Sequence, residues 1–294
     1  MSRRRHHDDA TTSRALYDEA ACAAAAQVIA RYSTSFGLGT RLLRHEERAH
    51  VRSVYAMVRV ADELVDTYRG PDAGALLDGF EAEVHGAMDR GYSADLVAHA
   101  FGLTARAVGI TREQTEPFFA AMRMDLVRTV HDEDSLARYI HGSAEVVGEM
   151  CLAVFVNTGQ GPRPLDPAVR EGARRLGAAY QKVNFLRDLG ADEHQLGRLY
   201  LPGVSAAALD QARLAAVVDE CRADMRAAAA VLDALPRRAR AAVGTTLDIY
   251  ARLLDQVAST PPRELATRRV RVANPVKAAL AARNLAGLHG RLAA

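Results

Sequence analysis

The sequence contains no tryptophan, and aromatic residues make up only 5% of its 294 positions. Any use of aromatic rings to cradle a cation must therefore be sparing. Only three cysteines are present, Cys22, Cys151 and Cys221, and they are far apart and odd in number. They lack metal-ligand spacing, and they fit buried thiols in a reducing cytosol better than a disulfide framework. No apolar run reaches the roughly 18–20 residues of a membrane span, and the N-terminus lacks a hydrophobic signal core. The expectation is a cytoplasmic protein that could touch membranes only peripherally. Neither sign of charge dominates, with 38 Lys plus Arg against 36 Asp plus Glu and a net charge of +2. That balance argues against a dedicated nucleic-acid binder. Alternating β-branched runs are also missing, which removes the main signal for strands.

What the sequence has in quantity is alanine, leucine, arginine and glutamate, with apolar residues recurring at three-and-four spacing. This predicts helices, roughly over 13–32, 45–68, 72–90, 93–106, 112–129, 133–157, 166–190, 205–234, 236–258 and 275–292. The breaks between them, such as "GQGPRPLDP" at 159–167 and "STPPRE" at 259–264, are too short and too apolar for domain linkers. The basic run "RRRHH" at 3–7 reads as part of a solvated, disordered tail over 1–12. A single all-α domain over 13–294 is expected. Its segment "SAEVVGEMCLAVFVNTG", 143–159, is apolar on most faces and so belongs at the centre of a bundle. Gly142, Gly148 and Gly177 would allow close helix approach or open space for a ligand.

Two segments carry the chemistry. In "VADELVD", 60–66, Asp62 and Asp66 lie four residues apart and project from one helix face. In "QKVNFLRDLGAD", 181–192, Gln181, Asn184, Asp188 and Asp192 form a second stripe beside Phe185, Leu186 and Leu189. One such stripe is readily explained as a solvated face, but two within apolar surroundings are costly unless something offsets the repulsion. Facing each other across a cavity, these oxygens suit Mg²⁺, with Mn²⁺ as the alternative, rather than zinc. Mg²⁺ bound through one or two carboxylates usually completes its shell with phosphate oxygens. Arg59 and Arg187 flank the stripes, and Ser33 and Ser35 in "YSTSF" offer hydroxyls. The combination points to a substrate with a diphosphate head and a hydrocarbon tail.

At these residues the chain resembles the squalene and phytoene synthase family. "STSFGLGTRLL" at 33–43, "YAMVRVADELVD" at 55–66, "MRMDL" at 122–126, "QKVNFLRDLGAD", "GRLYLP" at 197–202, "YARLLDQV" at 250–257 and "RRVRVANPVK" at 268–277 follow in family order. Each is weak alone and the ordered set is specific. The resemblance implies an isoprenoid-synthase-type helical bundle around a central apolar cavity, and "DELVD" with "RMDL" looks more like phytoene synthases than squalene synthases. Carried over, Asp62, Asp66, Asn184, Asp188 and Asp192 would hold Mg²⁺. Ser33, Ser35, Tyr55, Arg59, Gln181, Arg187, Tyr250 and Arg269 would bind diphosphate, with Arg59 and Arg187 assisting its departure. Tyr139 would stabilise a cation or relay a proton, a satisfied core tyrosine being the alternative. Phe36 would line the tunnel, or sit in the core. One departure stands out: Glu145 in "YIHGSAEVVG", 139–148, replaces a glycine usual in the family, which puts a carboxyl near the tunnel unless it is paired elsewhere.

The reaction implied joins two geranylgeranyl diphosphates head to head through a cyclopropyl intermediate, prephytoene diphosphate, to phytoene. It ends in proton loss, so no NADPH is expected, and "GxGxxG" after a strand is indeed missing. Prenyl diphosphates are the expected partners, with peripheral membrane contact for unloading product, as a monomer or homodimer. The rivals are the same fold acting on farnesyl diphosphate, giving squalene, dehydrosqualene or hydroxysqualene, and a non-catalytic relative serving as an assembly protein.

Overall fold

Helices form where the three-and-four spacing runs, and they end at the breakers. In the computed structural model, residues 2–287 are described apart from 34, 69, 206 and 207, with side chains from residue 12 onward, that of Ser35 excepted. The helices are α1 (Ser2–Tyr32), α2 (Ser35–Thr40), α3 (His45–Asp66), α4 (Ala73–Arg90), α5 (Leu96–Val108), α6 (Arg112–Val127) and α7 (Glu133–Ile140). They continue as α8 (Val146–Asn157), α9 (Pro167–Ala191), α10 (Gln211–Ala230), α11 (Arg237–Ala258), α12 (Pro262–Leu265) and α13 (Asn274–Leu285). Among the described residues the one β feature is a parallel bridge between Val130 and Leu199.

Two helices position the acidic stripes. α3 begins with Glu46 and Glu47 at its positive end, and Glu47 accepts from the Arg44 backbone N–H at 3.0 Å. It buries Val54, Met57, Ala61 and Val65, a three-and-four series that turns this stripe to the core. α9 starts at Pro167, where the missing N–H costs nothing, and Asp166 caps it by accepting from the N–H groups of Ala168 and Val169. It packs against α8, α10 and α11 and buries Leu176, Ala179, Val183 and Leu186.

Two wide turns interrupt the regular helices. Between α7 and α8, His141–Glu145 form a π turn in which the Val146 N–H donates to the His141 carbonyl. A second, Asp192–Leu196, closes α9 and ends at Gly197, whose φ of 68° suits glycine. Such turns insert one extra residue and cluster at functional sites. Gly142 allows the first of them to touch α6, because a Cβ there would lie 2.2 Å from the Pro117 carbonyl oxygen. Gly148 serves close approach of α8 to α9 in the same way, and Gly177 that of α9 to the π turn.

Several expectations need correction. The backbone of 2–12 continues α1 instead of forming an irregular tail; no Gly or Pro stands between Ser2 and Tyr32 to stop propagation from the packed half. The helix expected from 205 starts at Gln211, where Asp210 accepts from the Arg213 N–H at 2.7 Å. The C-terminal helix, expected over 275–292, spans Asn274–Leu285, and 288–292 lie outside the described residues. Finally, Glu133–Asn157 is one helical stretch long and apolar enough to cross a membrane by length and composition, but more than half of it is buried inside the bundle.

Candidate functional site

The helices surround a cavity of about 1030 Å³. Part of its lining is apolar, including Leu43, Leu152, Phe155, Val169, Leu176 and Leu235. Another part is polar and gathers most of the residues named from the sequence. Ser33, Tyr55, Arg59 and Asp62 line it from α3 and the segment before α2. Gln181, Asn184, Arg187, Tyr250 and Arg269 line it from the other side, joined by Arg31, Arg271 and Lys277. Phe36 lies at the same wall, its ring centroid 6.0 Å from that of Tyr250, which in turn stacks on Tyr180 at 3.9 Å. Ser35 falls outside the described side chains.

The charges are arranged unevenly. Asp188 is gripped by two arginines: Arg187 Nε donates to Oδ1 at 3.0 Å and Arg269 Nε lies 2.7 Å from the same oxygen. Asp66 accepts from Arg198 Nη1 at 2.5 Å. Arg59 pairs with Glu63, stands 3.8 Å from Asp62 and lies over the ring of Tyr32 at 4.5 Å. Asp62 and Asp192 are less well compensated. Burial, and then repulsion from Asp66, pushes Asp62 up to about 8. Burial, followed by repulsion from Asp188 and Asp66, pushes Asp192 up to about 7. Asp66 and Asp192 are thus within electrostatic reach of each other.

Uncompensated, hard-oxygen charge of this kind is what a divalent cation relieves, so the donor chemistry fits Mg²⁺. Among the described residues no three carboxylate, His or Cys groups converge on one point. A bound Mg²⁺ would draw its remaining ligands from phosphate and water. Asp66, Asp188 and Asp192 do not line the cavity as Asp62 and Asn184 do, since arginines occupy the first two.

Of the two placements open to it, Glu145 takes the paired one. It is not part of the cavity lining; it pairs with His141 Nδ1 at 2.9 Å on the π turn, while Ser143, Ala144, Val147 and Gly148 face the cavity. The extra residue in the turn changes which side chains point inward. Tyr139 does line the cavity and is buried, and its hydroxyl donates to Asp125 Oδ2 at 2.8 Å. Asp125, Arg198 and Tyr200 form a buried polar group around it that the spacing rules did not single out. Their segments, "MRMDL" and "GRLYLP", were visible in the sequence, but nothing local says that they meet.

Comparison with known proteins follows the same lines. The sequence profile of the squalene/phytoene synthase family matches residues 29–275. The chain is 35% identical to a 15-cis-phytoene synthase of Synechocystis over 186 residues, 60% of this chain and 54% of that protein. It is 30% identical to the chloroplastic phytoene synthase 3 of Zea mays over 254 residues, 79% of this chain and 58% of that one. The match thus spans little more than half the length of these relatives. Among solved structures, a dehydrosqualene synthase superposes with a TM-score of 0.76 at 21% identity, covering 92% of this chain and 97% of that one. The squalene synthase HpnC of Alicyclobacillus acidocaldarius superposes with a TM-score of 0.72 at 22% identity, covering 82% and 94%. These two likenesses establish the all-α fold.

Proposed function

Because the chain belongs to the squalene/phytoene synthase family, we propose that it is a prenyltransferase that condenses two geranylgeranyl diphosphates head to head, giving phytoene and two diphosphates, with one C–H proton lost at each of the two ionisations. The observation that carries this reading is the two-part cavity: Asp62, Asn184 and several arginines in its polar lining, apolar side chains in the rest. When bound, Mg²⁺ supplies positive charge that offsets the charge building on the departing diphosphate. Asp62, Asp66, Asn184, Asp188 and Asp192 would hold it.

The chain's own residues do the remaining work. Arg59, Arg187 and Arg269 present guanidinium donors to diphosphate oxygens, where fork geometry favours bidentate contact. Tyr55, Ser33, Gln181 and Tyr250 add neutral donors around them. The apolar lining keeps water from the allylic cation and its cyclopropyl successor, prephytoene diphosphate. Tyr139 stands in that lining as a neutral phenol, because burial and the neighbouring Asp125 raise its proton affinity. No reductant enters this balance. The exposed Tyr32 and Phe36, which share the cavity lining with Arg31 and Arg271, support peripheral contact with a membrane, where an insoluble product can leave.

The test is product analysis with purified protein, Mg²⁺ and either geranylgeranyl or farnesyl diphosphate, with and without NADPH. Phytoene from the C20 substrate without NADPH, abolished by EDTA, is expected. A product from farnesyl diphosphate alone would move the enzyme to the squalene side. No turnover of either by correctly folded protein would refute the enzyme assignment.

A further inference from the structure

The group around Asp125 is more complete than packing alone requires. The Asp125 side chain is 4% exposed, and each oxygen is held by a different phenol: Tyr139 at 2.8 Å on Oδ2 and Tyr200 at 2.9 Å on Oδ1. Arg198 stands 3.7 Å from the carboxylate and donates to the backbone carbonyls of Asp125 and Val65 and to Asp66. The tyrosine rings are fixed in turn. Phe185 stacks on Tyr200 at 4.5 Å with an interplanar angle of 12°, and the Tyr139 and Tyr200 centroids are 5.0 Å apart. A single continuous network therefore runs from the Asp66 stripe to a residue in the cavity wall.

A phenol has one proton to donate and lone pairs that accept. Tyr139 spends its proton on Asp125, so its oxygen is left with acceptor capacity only, and bonding to a carboxylate makes that oxygen more negative. Burial raises Asp125 to about 6, which still leaves it ionised near neutrality. Resting on the prenyltransferase reading above, we propose that Asp125 is a positioning residue for the reaction: it anchors the Tyr139 hydroxyl so that its oxygen, not its proton, faces a cation formed in the cavity. Tyr200 and Arg198 hold Asp125 in place. The stabilisation is electrostatic and preorganised, since no group has to turn when charge develops. Asp125 itself lies outside the cavity lining and acts through Tyr139.

The experiment measures kcat, KM and melting temperature for Asp125→Asn, Asp125→Glu, Tyr139→Phe and the double variant D125N/Y139F, in the full-length protein with Mg²⁺ and the substrate that the wild type turns over. Asp125→Asn should lower kcat by up to about 100-fold, the scale of a catalytic group misplaced by about 1 Å. KM should stay within about two-fold, and Asp125→Glu should restore part of the rate. The double variant should be no slower than Tyr139→Phe, because the two residues act as a unit. An unchanged kcat in Asp125→Asn, or losses that multiply in the double variant, would overturn the proposal. If Asp125→Asn does not fold, Tyr200→Phe takes its place, since it removes one partner of Asp125 without stranding a charge. It should slow the wild type several-fold yet add nothing in the Tyr139→Phe background; equal effects in both backgrounds would overturn the proposal. A wild type that turns over nothing would instead refute the reading of the site as a prenyltransferase.

Discussion

Replacing Asp62 by Asn should make the metal-free protein more stable while removing its activity. In the folded chain the Asp62 carboxyl is pushed from 3.8 up to about 8, by burial first and Asp66 second. A raised acid is a penalty on the ionised form: it is absent below about pH 4, grows as the pH rises, and is complete above about 8. At pH 7 about three units of lost ionisation correspond to roughly 4 kcal/mol. The side chain is 32% exposed, so solvent screens much of this, and about 1–2 kcal/mol should remain. For a chain of this size that is a rise in melting temperature of roughly 3–6 °C. The assay is differential scanning calorimetry of wild type and Asp62→Asn in EDTA at pH 5 and pH 8.5. The gap should be small at pH 5 and open at pH 8.5. Asp125 and Asp192 also carry raised values, so the wild type will lose stability with pH from several groups and only the difference isolates Asp62. Adding Mg²⁺ and diphosphate should then stabilise the wild type more than the variant, by mass action on the folded state. A gap that is equal at both pH values, or a variant that melts lower than wild type at pH 8.5 in EDTA, would refute this reasoning.

Other perturbations test neighbouring parts of the structure. Gly190→Ala would place a Cβ 1.8 Å from the Ala266 carbonyl oxygen, which backbone cannot yield cheaply. A loss of about 1–3 kcal/mol is expected in chemical denaturation, with a higher KM because Arg269 lies just beyond Ala266. Arg269→Ala leaves Asp188 its bond from Arg187, so stability should hardly move. The specificity constant kcat/KM should fall about 10- to 100-fold, the value of one charge-assisted hydrogen bond to diphosphate. Glu149, which is 1% exposed, joins Arg170, Arg174 and Gln114. Glu149→Gln strands two part-buried guanidinium groups and should cost about 2 kcal/mol in urea unfolding, with no change in the denaturant slope and with KM intact.

The parts of the site that could be read from the sequence are those that share a helix. Asp62 with Arg59, and Asn184 with Gln181 and Arg187, reach the cavity together because three-and-four spacing fixes their common face. Arg198 and Tyr200 were not readable in that way. They sit on an irregular segment held beside the α6–α7 connection by the Leu199 N–H bond to the Thr129 carbonyl at 2.7 Å, and one bridge has no periodic signature. Asp125 meets them from 73 and 75 positions away, a closeness that only the assembled bundle creates. Short helices such as α2 and α12 escaped for a related reason, since four to six residues hold too little of a 3.6-residue period to display it. Glu145 was linked to the tunnel only through the family resemblance, and the pairing left open as its alternative is the one it makes, with His141 on the π turn.

That turn has a consequence for how the gene can change. Each residue of a regular helix advances about 100°, so the π turn at His141–Glu145 sets the rotational phase between Tyr139 on one side and Gly148 on the other. Because the turn absorbs one extra residue, losing one codon within 141–145 would close it into ordinary helix with Tyr139 and α8 still in phase. Losing one codon inside the regular turns of α8 would instead rotate everything beyond it by about 100°, so that the α8 residues that line the cavity could no longer face it together. Gly142 is the exception within the turn, because a side chain shifted into its place would meet Pro117. A scan of single-codon deletions should therefore find a loss better tolerated in the turn than in the helix after it: a reading frame within the reading frame, counted in degrees of helix.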